Sequence, residues 1–558
     1  MTRKKKSKLW YIYLPFFVFI LLSLGIFLGY FIRILEEKNT NYSNQGSNFA
    51  NTPIVQKKDR VEEIINLIQS EYLYPIPSDS LYTWAIQSIF EKMDPYSQYI
   101  TAEELHTVSD NLTGNSKGFG VQFSIVADTV LFTNIVANSP ADEAKLKAGD
   151  LLIKVNENIV SGIGLNNDKL IEIINSEADE DITFEILRLP QREKMHFTFS
   201  KGNVPLTSID AYYMLNENTG YIKINRFSAA TYREFLMAMQ VLKEQGLESL
   251  ILDLRQNPGG YVDAAIAIAD EFLDDQKLVI TTENAIVGKE HYYTELEGSF
   301  EEGPLAILID EGTASASEVL AAAVQDWDRG WIIGRRSYGK GLIQQLFELR
   351  DGSSIRLTIM RYTSPSGRDL QRPKIYDSAS QKTIDIIYSD EVSGTKEKAI
   401  IDTNYSYTKI LNRKIASGGG VKPDIIVPFS NRPAYLNALY NVLISDELNK
   451  TVYKYYINNY AAVAKYKSVQ DFTKHFKLPD SILDDLLKEY NKNTLGLTIN
   501  SWPSKEGREF TRKEMTRILA AIHFGSNGES YYENIQDPII LKAMETLKRY
   551  PKVRNLNN

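Results

Sequence analysis

The chain has 558 residues, too long for one ordinary domain, and its hydrophobic (43%) and charged (24%) contents are those of a globular protein. A net charge of −8 gives no basic footprint, so no nucleic-acid partner is expected. The absence of Cys excludes disulfides, thiolate nucleophiles and cysteine metal sites. None of the five histidines, His106, His196, His291, His475 and His523, pairs at HExxH spacing, so neither a metal nor another cofactor is expected.

At the N-terminus the run from Trp10 to Ile32 carries no charge, and a membrane helix needs roughly 20 such residues. Arg3, Lys4, Lys5, Lys6 and Lys8 precede it, which places the N-terminus in the cytoplasm. Residues 1–35 are therefore expected to be a basic tail and a single-pass transmembrane anchor in the inner (cytoplasmic) membrane, with the remainder of the chain outside the cytoplasm, in the periplasm. The run is longer than the core of a cleaved signal peptide, and no small-x-small site follows it. Residues 36–58, rich in Asn and Ser, read as a polar linker. From 59 to 110 the pattern is helical: VEEIINLIQSEY and LYTWAIQSIFEKM place apolar residues three and four apart, with Asp79 or Ser80 as cap of the second helix.

Between 111 and 203 the texture changes to short strands. Gly118, Phe119, Gly120 and Val121 enter one; VLFTNIV follows, then Ser139-Pro140-Ala141, Gly149-Asp150, LLIKVN, a short helix near Asn167 to Asn175, and ITFEILR. This order resembles a PDZ domain. The resemblance implies that backbone N–H groups of Gly118–Val121 hold the terminal carboxylate of a peptide that adds as a strand at the sheet edge. Lys145 departs from the pattern, standing where such domains usually have Gly.

From 204 to 430 the chain reads as α/β. Strand LESLILDLR leads through Gln256-Asn257-Pro258-Gly259-Gly260 into a helix from Tyr261 to Leu273. Strand PLAILID leads through Glu311-Gly312-Thr313 into a helix from Ser315 to Trp327. Such continuous apolar strands are buried on both faces. Strands WIIGRR, LIQQLFEL and SIRLTIMRYTS come next, and 431–558 read mainly as helices without a motif.

Two stretches carry chemistry: Gly312-Thr313-Ala314-Ser315-Ala316-Ser317-Glu318 and Ser337-Tyr338-Gly339-Lys340-Gly341-Leu342-Ile343-Gln344. Ser315 falls where a strand ends and a helix begins, so N–H groups would stabilise negative charge there, although Ser315 and Ser317 also suit a helix cap. A serine hydroxyl needs a base, and a lysine desolvated among glycines can serve as one. Gly334 to Gly341 nearly spells a phosphate-binding loop but lacks the final Ser or Thr, and the strand after it argues against nucleotide binding. Ser337 to Lys340 also fits S-x-x-K, yet its glycines disfavour the helix that motif opens.

These motifs, together with Met93-Asp94-Pro95-Tyr96-Ser97, Leu252 to Gly260 and Gly419-Gly420-Val421-Lys422-Pro423-Asp424, resemble the C-terminal processing (tail-specific) peptidases of the Ser-Lys class, peptidase family S41, which have a crotonase-like core. The resemblance covers about Arg60 to Phe429. It implies Ser315 as nucleophile, Lys340 as general base, Gln344 as the residue that orients the lysine, and an oxyanion hole from the N–H groups of Gly259 or Gly260 and Ala316. The expected fold is thus α/β and multidomain: a transmembrane helix, a helical N-terminal domain, a PDZ domain (111–203), a peptidase core (204–430) and a helical C-terminal extension (431–558). The implied substrates are proteins or peptides with accessible C-termini. A catalytically silent PDZ scaffold, and an esterase or amidase on the same core, are the alternatives. The C-terminal helices leave dimerisation, substrate guidance or simple packing open, so a homo-oligomer is one reading.

Overall fold

The computed structural model describes residues 59–126, 128–176, 181–188, 191, 193–377, 382–385, 404–428, 433–493, 498–499, 501–549 and 552–553. The Trp10–Ile32 segment and the linker lie outside the described residues, and among the described ones no helix is long and apolar enough to cross a membrane. The chain divides into two compact units, 1–85 and 86–558. The first contains helix α1 (Asp59–Glu71) and the start of α2 (Ser78–Phe90). Helix α2 begins at Ser78, so Asp79 lies in its first turn rather than capping it, where its charge still favours the helix dipole.

After the end of α2, the second unit has a strand in a region expected to be wholly helical. β1 (Gln98–Ile100) is three residues long and forms only because a longer strand of the core templates it. Helix α3 (Ala102–Thr113) follows, its Thr101 and Glu104 forming a reciprocal capping box and Gly114 (φ 75) ending it in the left-handed conformation.

Residues 115–205 form an antiparallel module. β2 (Asn115–Gly118) pairs with β9 (Gly202–Pro205) at its base. Its sheet runs β3 (Val121–Val126), β4 (Thr129–Ile135), β5 (Leu151–Val155), β7 (Ile182–Arg188), β8 (Glu193–Phe199), with β6 (Asn158–Ile159) beside β5. The short helices α4 (Pro140–Glu143) and α5 (Asn167–Ser176) complete it. β3 is an edge strand. Phe119, Val130, Phe132, Leu152, Phe184 and Ile186 fill the inner face. Lys145 adopts φ 68, a left-handed conformation that costs a side-chain-bearing residue and explains why glycine suits this place.

The core sheet has the order β10 (Ile209–Met214), β11 (Thr219–Ile224), β12 (Ser249–Asp253), β15 (Leu305–Ile309), β16 (Trp331–Gly334), β23 (Ile425–Ile426), parallel from β11 onward. Helices α6 (Thr231–Glu244), α7 (Val262–Asp270) and α8 (Ala316–Asp326) pack with one face of it in a single apolar cluster. A second sheet sets β1, β13 (Leu278–Asn284), β14 (Gly288–Tyr293) and β17 (Leu342–Glu348) around β18 (Ser354–Thr363). Two strand pairs lie at the margin: β19 (Lys374–Asp377) with β20 (Lys382–Asp385), and β21 (Tyr405–Tyr407) with β22 (Lys414–Ala416).

The C-terminal region supplies α9 (Ala434–Leu443), α10 (Asp446–Asn458), α11 (Tyr460–Ala464), α12 (Val469–His475), α13 (Asp480–Asn493), α14 (Lys505–Asn534, broken at Gly525) and α15 (Pro538–Arg549). It has two structural tasks. Tyr531, Ile539, Ile540, Ala543 and Leu547 bury the second face of the core sheet against Tyr221, Ile251, Leu308 and Trp331. Val452, Tyr455 and Leu519 belong to a cluster that covers Leu131 and Leu151, on the outer face of the antiparallel module. Both faces of these strands are thus apolar because both are covered, as their continuous hydrophobic runs require.

Candidate active site

Strands β12 and β15 end side by side, and the turns that follow them touch. Gln256 opens the first at φ 61, an uncommon conformation for a residue with a side chain, and it is held there by Asp310 at the end of β15. Asp310 Oδ1 accepts the Gln256 N–H at 2.8 Å and its Oδ2 accepts the side-chain amide at 2.7 Å. Gly312 leaves no room for a side chain, since a Cβ there would sit 2.8 Å from the Gln256 Cα. Buried Asn257 then fixes both turns. Its Oδ1 accepts the Gly259 N–H (2.9 Å), and its carbonyl accepts the Ala314 N–H (2.9 Å) and the Ser317 hydroxyl (3.1 Å).

The Gly259–Gly260 turn therefore lies directly against Ser315. A Cβ on Gly259 would fall 2.7 Å from the Ser315 Cβ and 2.9 Å from the Ala316 nitrogen. The N–H of Gly259 is committed to Asn257. Gly260 bridges Phe227 in parallel fashion, through the Gly259 carbonyl and the Tyr261 N–H, so its own N–H faces away from Phe227. A Cβ on Gly260 would meet the Phe227 carbonyl oxygen at 1.9 Å, which makes glycine obligatory.

Ser315 precedes α8 with φ 55 and ψ −118, and it is 9% exposed. Its N–H donates to Glu318 Oε2 at 2.9 Å. Fully buried Glu318 is the hub of the site. The same oxygen accepts the Lys340 N–H at 2.8 Å, and Oε1 accepts the Gly339 N–H at 2.7 Å and the Ser337 hydroxyl. Tyr362, on β18, adds a second tie by donating to the carbonyls of Ser315 (3.2 Å) and Lys340. Two buried side chains thus join the backbone of the serine turn to that of the lysine segment. Burial pushes the Glu318 carboxyl up to about 7, against the pull of its four donors.

Lys340 is half-buried. Its ammonium lies 5.0 Å from the centre of the Tyr96 ring. Burial, and then the charge of Arg356, hold it below the ordinary lysine range, while Glu318 and Asp94 oppose the shift. Asp94 bonds the N–H groups of Tyr96 and Ser97 (2.9 Å each) and the Thr358 hydroxyl (3.1 Å). Burial works against its charge, but these bonds and the Ser97 hydroxyl hold it below the usual carboxylate range. The Met93–Ser97 motif is thereby seated beside the lysine.

The Ser317 and Ser337 hydroxyls donate to the Asn257 carbonyl and the Glu318 carboxylate, whereas Ser315 stands in a capping box with Glu318 at the head of α8. Gln344 lies on β17, opposite Thr358, and its amide donates to the Leu342 carbonyl at 3.5 Å. The surroundings of the Lys340 ammonium are instead Tyr96, Asp94, Arg356 and Glu318, residues whose contribution sequence spacing did not reveal.

The Gly118–Val121 loop leads into edge strand β3. Phe119 is buried and its carbonyl accepts the Ala141 N–H (2.9 Å); Gly120 (φ 81) passes so close to Ser139 that a Cβ would collide at 2.1 Å. A cavity of about 920 Å³ lies between β3–β4, the ends of β11, β12 and β15, and α14. Its walls include Lys223, Arg255, Asp310, Glu533 and Asp537 and exclude both Ser315 and Lys340. Among the described residues no cluster of three or more His, Asp or Glu side chains is placed to hold a metal ion.

Comparison with known proteins adds to this geometry. Residues 218–378 match the profile described as peptidase family S41, and residues 435–522 match a family of unknown function, DUF8443. The chain is 28% identical over 384 residues to the carboxy-terminal processing protease CtpB of Bacillus subtilis, covering 68% of this chain and 79% of that protein. It is 32% identical over 294 residues to a carboxyl-terminal-processing protease of Synechocystis, covering 52% of this chain and 68% of that one. A solved photosystem II D1 C-terminal processing protease shares 22% identity over 70% of this chain and 98% of its own, with a TM-score of 0.35, too low to bear on geometry.

Proposed function

The chain belongs to peptidase family S41 and is a serine-type peptidase, and from that premise we propose that it is a membrane-anchored endopeptidase that captures substrate C-termini and cleaves with Ser315 and Lys340. Neutral Lys340 takes the Ser315 proton as Oγ attacks a peptide carbonyl. The N–H groups of Gly260 and Ala316 receive the oxyanion, and the lysine then protonates the leaving amine. Water, deprotonated by Lys340, releases the acyl-enzyme as a carboxylic acid and restores the serine. The observation that supports this most is the double tie of Glu318 and Tyr362 between the serine turn and the lysine segment, with Gly259 packed on the serine from the other side.

The antiparallel module is read as a PDZ domain, with the Gly118–Val121 loop and the free edge of β3 as the tail-binding site. Anchoring in the inner membrane rests on the apolar Trp10–Ile32 run and the basic residues before it.

The test uses the full chain in vesicles and an unstructured protein with an apolar C-terminus. Ser315→Ala and Lys340→Ala should each lower kcat by at least about 10³-fold, and amidating the substrate's C-terminus should raise KM. Cleavage that survives in either variant would remove the dyad. Tail binding without any cleavage would favour a scaffold. Resistance of the chain to alkaline extraction from the vesicles checks the anchor.

A further inference from the structure

The turn that carries Gly260 is reached through Arg255, and Arg255 is where the C-terminal extension touches that path. Its N–H donates to Asp253 Oδ1 (2.9 Å), its carbonyl accepts the Lys223 ammonium (2.9 Å), and its guanidinium grips Asp253 through Nε (2.9 Å) and Nη2 (2.6 Å). The remaining edge of the guanidinium, Nη1, pairs with Asp537, in the junction between α14 and α15. A second route runs in parallel. Asn534 donates to the Tyr213 hydroxyl (2.7 Å), the Tyr213 ring stacks on Tyr221 at 5.1 Å, and the Tyr221 hydroxyl donates to Asp253 (2.8 Å). The residue after Arg255 is Gln256, whose positive φ persists only because its neighbours hold it. The extension is thus bonded to the residue that introduces the most constrained stretch of the site.

We propose that Asp537 is a positioning residue for the oxyanion turn: by holding the Arg255 guanidinium it fixes the entry to Gln256–Gly260, so that the C-terminal extension completes the catalytic core. This rests on the Ser-Lys peptidase reading above. The ion pair gives Arg255 a second carboxylate, since it must share Asp253 with Lys223, whose ammonium lies 3.7 Å from that carboxylate. The other oxygen of Asp537 accepts the Ile539 N–H (2.7 Å) at the head of α15. Asparagine caps a helix as well as aspartate does, so Asp537→Asn removes the ion pair and keeps the cap.

The experiment compares the full chain with Asp537→Asn, Asp537→Glu and Lys552→Ala. The last breaks the exposed Lys552–Glu302 pair (3.3 Å), another tie of the extension to the core, remote from the turn. Asp537→Asn is expected to lower kcat about tenfold with KM changed less than about twofold, and Asp537→Glu to recover most of the loss. Lys552→Ala should leave kcat and KM as they were. Amide exchange over residues 255–261 should quicken in Asp537→Asn, a readout that needs no catalysis. Unchanged exchange, or kcat in Asp537→Asn within about twofold of the parent, overturns the proposal. So does an equal loss of kcat in Lys552→Ala, which would mean that general docking of the extension is what matters. A parent chain without Ser315-dependent cleavage defeats the peptidase reading, and the exchange result then decides the role of Asp537 by itself.

Discussion

Two fully buried carboxylates organise the two halves of the site by opposite means. Asp253, behind the glycine turn, is surrounded by cations; burial opposes its charge, but Arg255 and Lys223 hold it well below the ordinary carboxylate range. Glu318, behind the serine and the lysine, is bonded among the described residues by three backbone N–H groups and a hydroxyl and by no cation, and burial lifts it to about 7. Ion pairing makes the first turn indifferent to pH around neutrality. Burial opposed by hydrogen bonds alone makes the second a place where a proton enters or leaves near neutrality. The linkage signs are opposite. Asp253 contributes stability present above its unfolded pKa and lost as the pH falls through its lowered folded value. Glu318, with its folded value raised from 4.5 to about 7, contributes stability fully present below 4.5 and lost as the pH rises through 7.

The largest expected effect breaks the first half. Asp253→Asn strands Arg255 and Lys223, and should cost about 3–5 kcal/mol in urea unfolding at neutral pH. A loss below about 1 kcal/mol would mean that the pair matters little to the turn. Glu318→Gln comes next, at about 1–3 kcal/mol, because one amide oxygen cannot serve four donors. The urea midpoint of the parent relative to this variant should fall between pH 4.5 and 7; parallel curves would remove Glu318 from the account. Smaller effects sharpen the lysine. In the proposed mechanism its neutral form is the base, so kcat/KM should rise with pH along an acid limb set by Lys340. Arg356→Met, by removing a repelling charge, should move that limb to higher pH, and an unmoved limb would show that burial alone depresses the lysine. Asp94→Asn should move it slightly the other way, since the carboxylate favours the ammonium.

How much of this the sequence discloses follows from distance along the chain. Ser315, Lys340 and the Gly259–Gly260 turn sit at strand ends in compact motifs, where an apolar run, a glycine and a polar residue together specify local geometry. The continuous apolar runs within strands β12 and β15 likewise announce burial on both faces. What covers the second face, however, comes from residues beyond 530, and the helical periodicity of α15 does not say against what it packs. The Met93–Ser97 motif is legible but its place is not, and Arg356 and Tyr362 escape notice, because the fold alone brings Asp94, Tyr96, Arg356 and Tyr362 to Lys340. β1 escapes because three residues acquire strand geometry only from their partner. Gln344 is the converse case. The family resemblance implies that it orients the lysine, and in the structure an irregularity in pairing between Ile343 and Gln344 accompanies an amide turned to the Leu342 carbonyl.

The backbone at Ser315 has a consequence for the protein's history. A residue at φ 55 and ψ −118 is held where glycine would rest without strain, at a cost of about 1–3 kcal/mol. On the proposed mechanism Ser315→Gly should therefore yield an inert protein, and one that melts at a higher temperature than its parent. Wherever selection for cleavage lapses, stability itself draws this position toward glycine, so that retention of serine here is a sign that the hydroxyl is in use.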